Sequence, residues 1–195
     1  MRSEAPALLP IFRSRGQARL LTLLFLHPDQ EYTLSDLARR LQMSLSTVHG
    51  EVTRLEDAEL ITSRPVGRAR LLRANQANRL TAPLTHLLTL TFGPQEAVGK
   101  EFAGLNAQAV LIFGSWARRY EGEPGPPPND VDVLVLGDVD RAAVYEAAER
   151  AQARLDLQVN PVVRPADRWD SAAADPLVNQ IMESPYVIAY GDLPE

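Results

Sequence analysis

The sequence predicts an α/β chain of the α+β kind, folded as two units. Three observations predict it. The charge is split: residues 1–80 hold 12 arginines against 8 Asp and Glu, a surplus of four, while residues 81–195 hold 8 Lys and Arg against 17 Asp and Glu, a deficit of nine, and together these give the net charge of −5. The first half has helical apolar spacing that gives way once to a pair of strand-like runs. The second half alternates short apolar strand-like runs with longer helical ones. We expect units at residues 1–75 and 93–195, joined by a leucine-rich connector at 76–92 that ends at Gly93-Pro94. The 195 residues, 45% of them hydrophobic, suffice for one large domain or two small ones. The chain has no cysteine, which excludes disulfides and thiolate metal sites. Its apolar runs are too short for a membrane span, and MRSEAPALLP lacks signal-peptide architecture, so a soluble, cytoplasmic protein with no membrane partner is expected.

Residues 8–27 carry Leu9, Ile11, Phe12, Leu20, Leu21, Leu23, Leu24, Phe25 and Leu26, and the spacing from Ala18 to Leu26 suits a largely buried helix broken by His27-Pro28-Asp29. Thr33, with Asp36 three residues on, reads as the capped start of a helix over 34–41 whose inner face is Leu34, Leu37, Ala38 and Leu41. After the tight link Gln42-Met43-Ser44, Ser44 caps a third helix over 45–58. Leu45, Val48, Val52 and Leu55 face inward, and Ser46, Thr47, His49, Gly50 and Thr53 face outward. Two short helices with a tight link form a helix-turn-helix pattern. Runs at 60–66 and 68–74 around Val66-Gly67 give a hairpin carrying Arg64, Arg68, Arg70 and Arg73.

Residues 8–75 resemble a winged helix-turn-helix domain of the broad bacterial repressor type. The resemblance implies that Ser46, Thr47 and His49 meet base edges of double-stranded DNA, that Arg54 lies near phosphate, and that Arg68 and Arg70 on the wing contact phosphate or the minor groove. It implies a homodimer on a palindromic site. Two positions depart from the pattern. Glu59 stands where a glycine usually ends the third helix, and Gly50 sits in mid-helix, where glycine costs about 1 kcal/mol relative to alanine. The connector predicts a helix from Ala82-Pro83, with Leu80, Leu84, Leu87, Leu88 and Leu90 available to join the halves or meet a second copy.

In the second half a helix over 95–105 leads into an apolar strand at 110–113 that stops at Gly114-Ser115. A polar piece, 116–120, and a Pro/Gly-rich loop, 121–128, precede Asn129-Asp130-Val131-Asp132 and a second apolar run at 133–136. Alternation puts Asp130 and Asp132 on one strand face, about 7 Å apart, where two carboxylates repel unless a cation joins them. Mg²⁺ or Mn²⁺ takes such oxygen ligands and also holds substrate phosphates. Gly114 and Ser115 can offer backbone N–H groups and a hydroxyl to a phosphate. Asp140 caps an alanine-rich helix ending near Leu155; residues 155–163 read as a third strand, 175–182 as a helix and 186–190 as a short strand.

Gly-Ser after one strand and Asp-x-Asp on the next resemble the nucleotidyltransferase superfamily, in its minimal form, over residues 93–190. The resemblance implies a mixed sheet with flanking helices, a Gly114-Ser115 turn that grips a nucleoside triphosphate, Asp130 and Asp132 as catalytic metal ligands, and Arg118 or Arg119 adding charge. It also implies a third carboxylate on the following strand, in an acidic-hydrophobic-Asn-Pro run. Here Val159-Asn160-Pro161 matches, but Gln158 holds the acidic place, and an amide is no base. Asp156, two residues back on the expected strand, is the candidate substitute. The leading expectation is a DNA-binding transcriptional regulator whose second unit binds a metal–nucleoside triphosphate at a catalytically weakened site. The alternatives are an active Mg-dependent nucleotidyltransferase acting on a small molecule or protein, and an antitoxin-type module that holds a toxin partner.

Overall fold

The computed structural model describes residues 12–171 and 175–194. The chain divides into two compact units, Met1–Phe92 and Gly93–Glu195.

In the first unit Ser14 caps α1 (Arg15–Leu26), accepting a bond from the Gln17 backbone N–H, and Leu20, Leu24 and Phe25 are wholly buried. Leu9 and Ile11, named among the apolar positions of residues 8–27, lie outside the described residues. Helix α2 (Leu34–Leu41) opens with the expected box. The Thr33 hydroxyl accepts from the Asp36 N–H at 3.1 Å, and the Asp36 carboxylate accepts from the Thr33 N–H at 3.2 Å. These bonds satisfy two otherwise orphaned donors, and the Thr33 hydroxyl, which donates to the Asp36 carboxylate at 2.7 Å, together with the Thr33 N–H holds Asp36 below its ordinary pKa. Gln42 turns left-handed at φ 55°, and Ser44 caps α3 (Leu45–Asp57) through the Thr47 N–H at 3.1 Å. Val48 and Val52 are buried, but Leu45 is 53% exposed, not inward as expected. It heads the helix, and helical side chains lean toward the N-terminus, so it overhangs the end.

Helix α3 ends in a Schellman motif: Leu60 N–H donates to Leu55 C=O at 2.9 Å and Glu59 N–H to Glu56 C=O at 2.8 Å, with Glu59 at φ 55°. The Asn75 and Asn78 side-chain amides donate to the Glu59 carbonyl at 2.8 and 3.0 Å, which holds a turn that its own residue type disfavours. Left-handed backbone costs a non-glycine residue about 1–2 kcal/mol, so Glu59→Gly is expected to stabilise the unit by about 0.5–1 kcal/mol, the remainder being lost to unfolded-chain entropy. A rise in urea midpoint at unchanged slope is the result expected; a fall would mean that the Glu59 side chain contributes more than its backbone strain costs.

Strands β1 (Ile61–Val66) and β2 (Ala69–Ala74) form an antiparallel hairpin turned at Gly67, φ 58°. Tyr32 exchanges two backbone bonds with Leu72, at 2.9 and 2.8 Å, which pins the hairpin to the approach to α2. Residues 76–92 belong to this unit: α4 (Thr81–Phe92) packs on α1 and buries Leu88, while Leu80, Leu87 and Leu90 stay exposed.

The second unit holds a four-stranded mixed sheet in the order β5-β4-β3-β6. Strand β3 (Ala109–Phe113) pairs antiparallel with β4 (Asp130–Leu136) and with β6 (Val187–Gly191), and β4 runs parallel to β5 (Gln158–Arg164). The β4–β5 crossover is α7 (Arg141–Leu155), capped by Asp140 as expected. Helix α5 (Pro94–Phe102) packs on α7 and β6, its Glu101 ion-paired to Arg150 and Arg154 at 3.1 and 2.8 Å. On the other sheet face, Ala109, Leu111, Leu134 and Leu136 meet Trp169 of α8 (Asp167–Asp170) and Val178 and Ile181 of α9 (Pro176–Met182). Helix α8 was not expected from the sequence. Four residues give too few turns for a periodic signal, and what fixes it is tertiary: Trp169 meets the Tyr186 ring edge-on at 5.5 Å.

Candidate functional site

Two places in the fold gather the residues of interest, one in each unit.

In the first unit Ser46, Thr47 and His49 are exposed on α3. Their hydroxyls are already organised: Ser44 Oγ lies 3.0 Å from Ser46 Oγ and 2.7 Å from Thr47 Oγ1. Gly50 has nothing within 4 Å of where a Cβ would stand, so it opens the surface and relieves no clash. The arginines differ. Arg68 is exposed at the wing turn. Arg54 instead donates to Glu51 at 2.8 Å, and Arg70 forks onto both oxygens of Glu56 at 3.0 and 2.9 Å. Arg64 meets Glu31 through two nitrogens, Nε and Nη2, one on each oxygen, and depresses that carboxyl's pKa. Arg54 and Arg70 are therefore held by carboxylates rather than standing open, because i,i+3 spacing on the helix and the return of the hairpin bring acids to them. Sequence reasoning missed Glu51. It is 8% exposed and also meets Gln17 Nε2 at 3.2 Å and Arg13 at 3.8 Å; its spacing to Arg54 was the available signal.

In the second unit β4 places Asp130 and Asp132, both half-buried, on the face shared with Leu134 and Leu136. Phe113 pairs with Asp132, so the chain leaves β3 beside that carboxylate. Gly114 follows at φ 72°, and a Cβ there would stand 2.8 Å from Asp132 Oδ2. The strand pairing thus brings the Gly114 turn and the acid pair together. Ser115 lies half-buried in the first turn of α6 (Gly114–Tyr120), where no side chain caps the helix. Arg118 is exposed on α6. Arg119 instead donates to the Glu123 carbonyl and, at 3.3 Å, to the Pro126 carbonyl, and lies where a Cβ on Gly125 would go, so it fastens the Pro/Gly-rich loop.

The parallel register sets Gln158 beside Asp130 and Asn160 beside Asp132. Asn160 Nδ2 donates to Asp130 Oδ2 at 2.9 Å and to Asp132 Oδ1 at 3.5 Å, and Gln158 Nε2 donates to Asn160 Oδ1 at 2.9 Å. Burial raises the pKa of Asp132, the charge of Asp130 raises it further, and the Asn160 bond lowers it. The strand placement of Asp156 is corrected. It is the C-cap of α7, at φ 56°, with its N–H on the Gln152 carbonyl at 2.9 Å, and β5 starts at Gln158. The alanine-rich helix runs its full length before the chain turns, and aspartate tolerates the left-handed turn, so strand alternation does not carry Asp156 to the face of Gln158 and Asn160. Among the described residues no group of three or more His, Cys, Asp or Glu gathers, and His27, His49 and His86 share no site. No helix among them is long and apolar enough to cross a membrane.

Residues 14–66 match the MarR family model, a match that ends inside the wing. No curated protein matches the chain. Solved structures similar to it include MepR, a transcription regulator of the Staphylococcus aureus multidrug efflux pump MepA (23% identity over 42% of this chain and 59% of that one, TM-score 0.36). The heme sensor PefR from Streptococcus agalactiae aligns at 22% identity over 46% of this chain and 60% of its own, TM-score 0.33. A cysteine-to-serine mutant of Lactococcus lactis ZitR in complex with DNA aligns at 19% identity over 53% of this chain and 70% of its own, TM-score 0.34. The chain spans 59% of the length of MepR, and likenesses at these scores carry no argument about this protein's ligands. The family match falls on α1 to α3 and the first strand of the wing, so residues 14–66 of the N-terminal unit are similar to a MarR-family winged-helix domain.

Proposed function

We propose that this protein is a DNA-binding transcriptional regulator whose second unit binds a metal–nucleoside triphosphate without transferring it. The observation that carries the first half is the MarR match over residues 14–66, laid on a helix-turn-helix with an arginine-bearing wing. On this reading α3 enters the major groove with Ser46, Thr47 and His49 at base edges, and Arg68 at the wing turn meets the backbone. The expected signature is duplex binding that weakens linearly in log Kd against log salt. Arg68→Ala is expected to weaken binding evenly across sequences and to lower the salt slope by about 1. Anisotropy titrations on duplexes of unrelated sequence at several salt concentrations measure this, and an unchanged slope would take Arg68 off the phosphate backbone.

A homodimer fits the reading of paired half-sites, and the exposed Leu87 and Leu90 of α4 support it, since a monomer gains nothing from apolar side chains in water. Leu87→Glu with Leu90→Glu is expected to convert a dimer to a monomer in sedimentation equilibrium; a dimer that survives both would place the contact elsewhere.

For the second unit, the residues fit a divalent cation and phosphate. Two carboxylates share a strand face, and the absent Cβ of Gly114 leaves open the space beside Asp132 Oδ2. Asp130 and Asp132 would hold Mg²⁺ or Mn²⁺; Gly114, Ser115 and Arg118 would take the phosphates. A bound cation would neutralise phosphate charge. The transfer reading lacks a base on this face: Gln158 is an amide, and Asp156 sits on a helix cap. Nor does any observation favour a toxin-type partner. Calorimetry of the full chain with ATP, GTP and CTP, with and without Mg²⁺, tests the reading. Mg²⁺-dependent heat that Asp130→Asn removes is expected; no heat with any of the three would end it.

A further inference from the structure

The acid pair has a third polar neighbour that points the wrong end of itself at a cation site. The Asn160 side chain turns its NH₂ to both carboxylates, 2.9 Å from Asp130 Oδ2 and 3.5 Å from Asp132 Oδ1. That NH₂ stands where positive charge is most favourable, between two like charges on one strand face. A divalent cation there would meet the positive end of the amide dipole. An amide is two-ended, however: a half-turn about its last bond replaces the donor by a carbonyl oxygen, and Asn carbonyls are good ligands for hard cations. The turn leaves the Asn160 NH₂ facing Gln158, which now donates to Asn160 Oδ1 at 2.9 Å. Two donors would then meet unless Gln158 turned as well. Gln158 is exposed, so it is able to do so without breaking packing.

We infer that Asn160 is the third oxygen ligand of the Asp130–Asp132 cation site, and that its amide turns over together with that of Gln158 when a divalent cation binds. The inference rests on the metal–nucleotide reading above. It assigns Gln158 a positioning role: once turned, its carbonyl accepts from the Asn160 NH₂ and holds the Asn160 oxygen toward the cation. It also explains how a strand with no third carboxylate completes a three-oxygen set, since among the described residues the acids alone do not gather three.

The sign of one substitution separates ligand from bystander. Mn²⁺ binding to the full chain, without nucleotide, is followed by the loss of the free-ion electron paramagnetic resonance signal. If Asn160 is a ligand, Asn160→Leu weakens Mn²⁺ binding roughly tenfold or more, and Gln158→Ala weakens it less. If Asn160 is only a resident donor competing with the cation, Asn160→Leu binds Mn²⁺ as tightly as the parent or tighter, which overturns the inference but leaves the metal–nucleotide reading standing. No Mn²⁺ binding by the parent protein, alone or with ATP present, overturns both. A second measurement needs no variant: in a Mg²⁺ titration followed by NMR, the side-chain amide signals of Asn160 and Gln158 are expected to move together with one midpoint. Signals that stay in place while the Val131 and Val133 backbone amides shift would rule out the coupled turn.

Discussion

Gly191→Ala is expected to cost the second unit about 3 kcal/mol or more. At φ 73° a side chain is strained by about 1–2 kcal/mol before any contact is made. The added Cβ would then lie 2.0 Å from the Gln108 carbonyl oxygen and 2.9 Å from its carbon, both backbone atoms that cannot swing aside. Gly191 pairs with Ala109 at the end of β6, and the following Asp192 N–H bonds the same Gln108 carbonyl at 3.1 Å. Relief therefore requires the end of β6 to leave β3, and overpacking of that kind typically adds 1–3 kcal/mol. Against a typical domain stability of about 5–15 kcal/mol this is a large share. Urea unfolding, followed by the fluorescence of Trp116 and Trp169, would show it as a lower midpoint; a loss under about 1 kcal/mol would mean that β6 does not end against Gln108.

Asp132→Asn is expected to move stability and ligand binding in opposite directions. Burial, and then the charge of Asp130, raise the Asp132 pKa above the ordinary value of 3.8. The native protein therefore binds this proton more tightly than the unfolded chain does. By linkage, stability falls as pH rises from about 3.8 through the raised value, and the full cost remains at neutral pH. The neutral amide escapes that cost. The variant is expected to melt higher than the parent at pH 7, with the advantage vanishing below pH 4. The same change removes an anionic ligand, so Mg²⁺-dependent nucleotide binding is expected to be lost and added Mg²⁺ to raise the parent's melting temperature alone. Thermal melts at pH 3 and 7, with and without Mg²⁺ and ATP, test both halves. A variant less stable than the parent at pH 7 would mean that the Asn160 bond outweighs burial and repulsion at this carboxylate.

The helical elements were legible where their signals are local. Thr33 with Asp36, Ser44 and Asp140 were each read as caps from residue type and spacing, and each caps its helix because capping is settled within three or four residues. Alternation alone placed Asp130 and Asp132 on one face, since a strand has a period of two whatever it pairs with. Leu45 and Asp156 were misplaced for the same reason in reverse. Each stands at an end of a helix, where periodicity stops applying and the next contact decides direction.

The sequence by itself determined that a basic helical half carries a hairpin, that an acidic half carries strands, and which residue types could do chemistry in each. Only the tertiary structure decided the company those residues keep. Glu56 holds Arg70, and Asn160, two strands away from the Gly114 turn, points its amide at both carboxylates. The physical reason is range. Caps and periodicities are fixed by neighbours a few residues apart, whereas the Asn160–Asp130 bridge joins groups 30 residues apart in sequence that strand register brings to 2.9 Å.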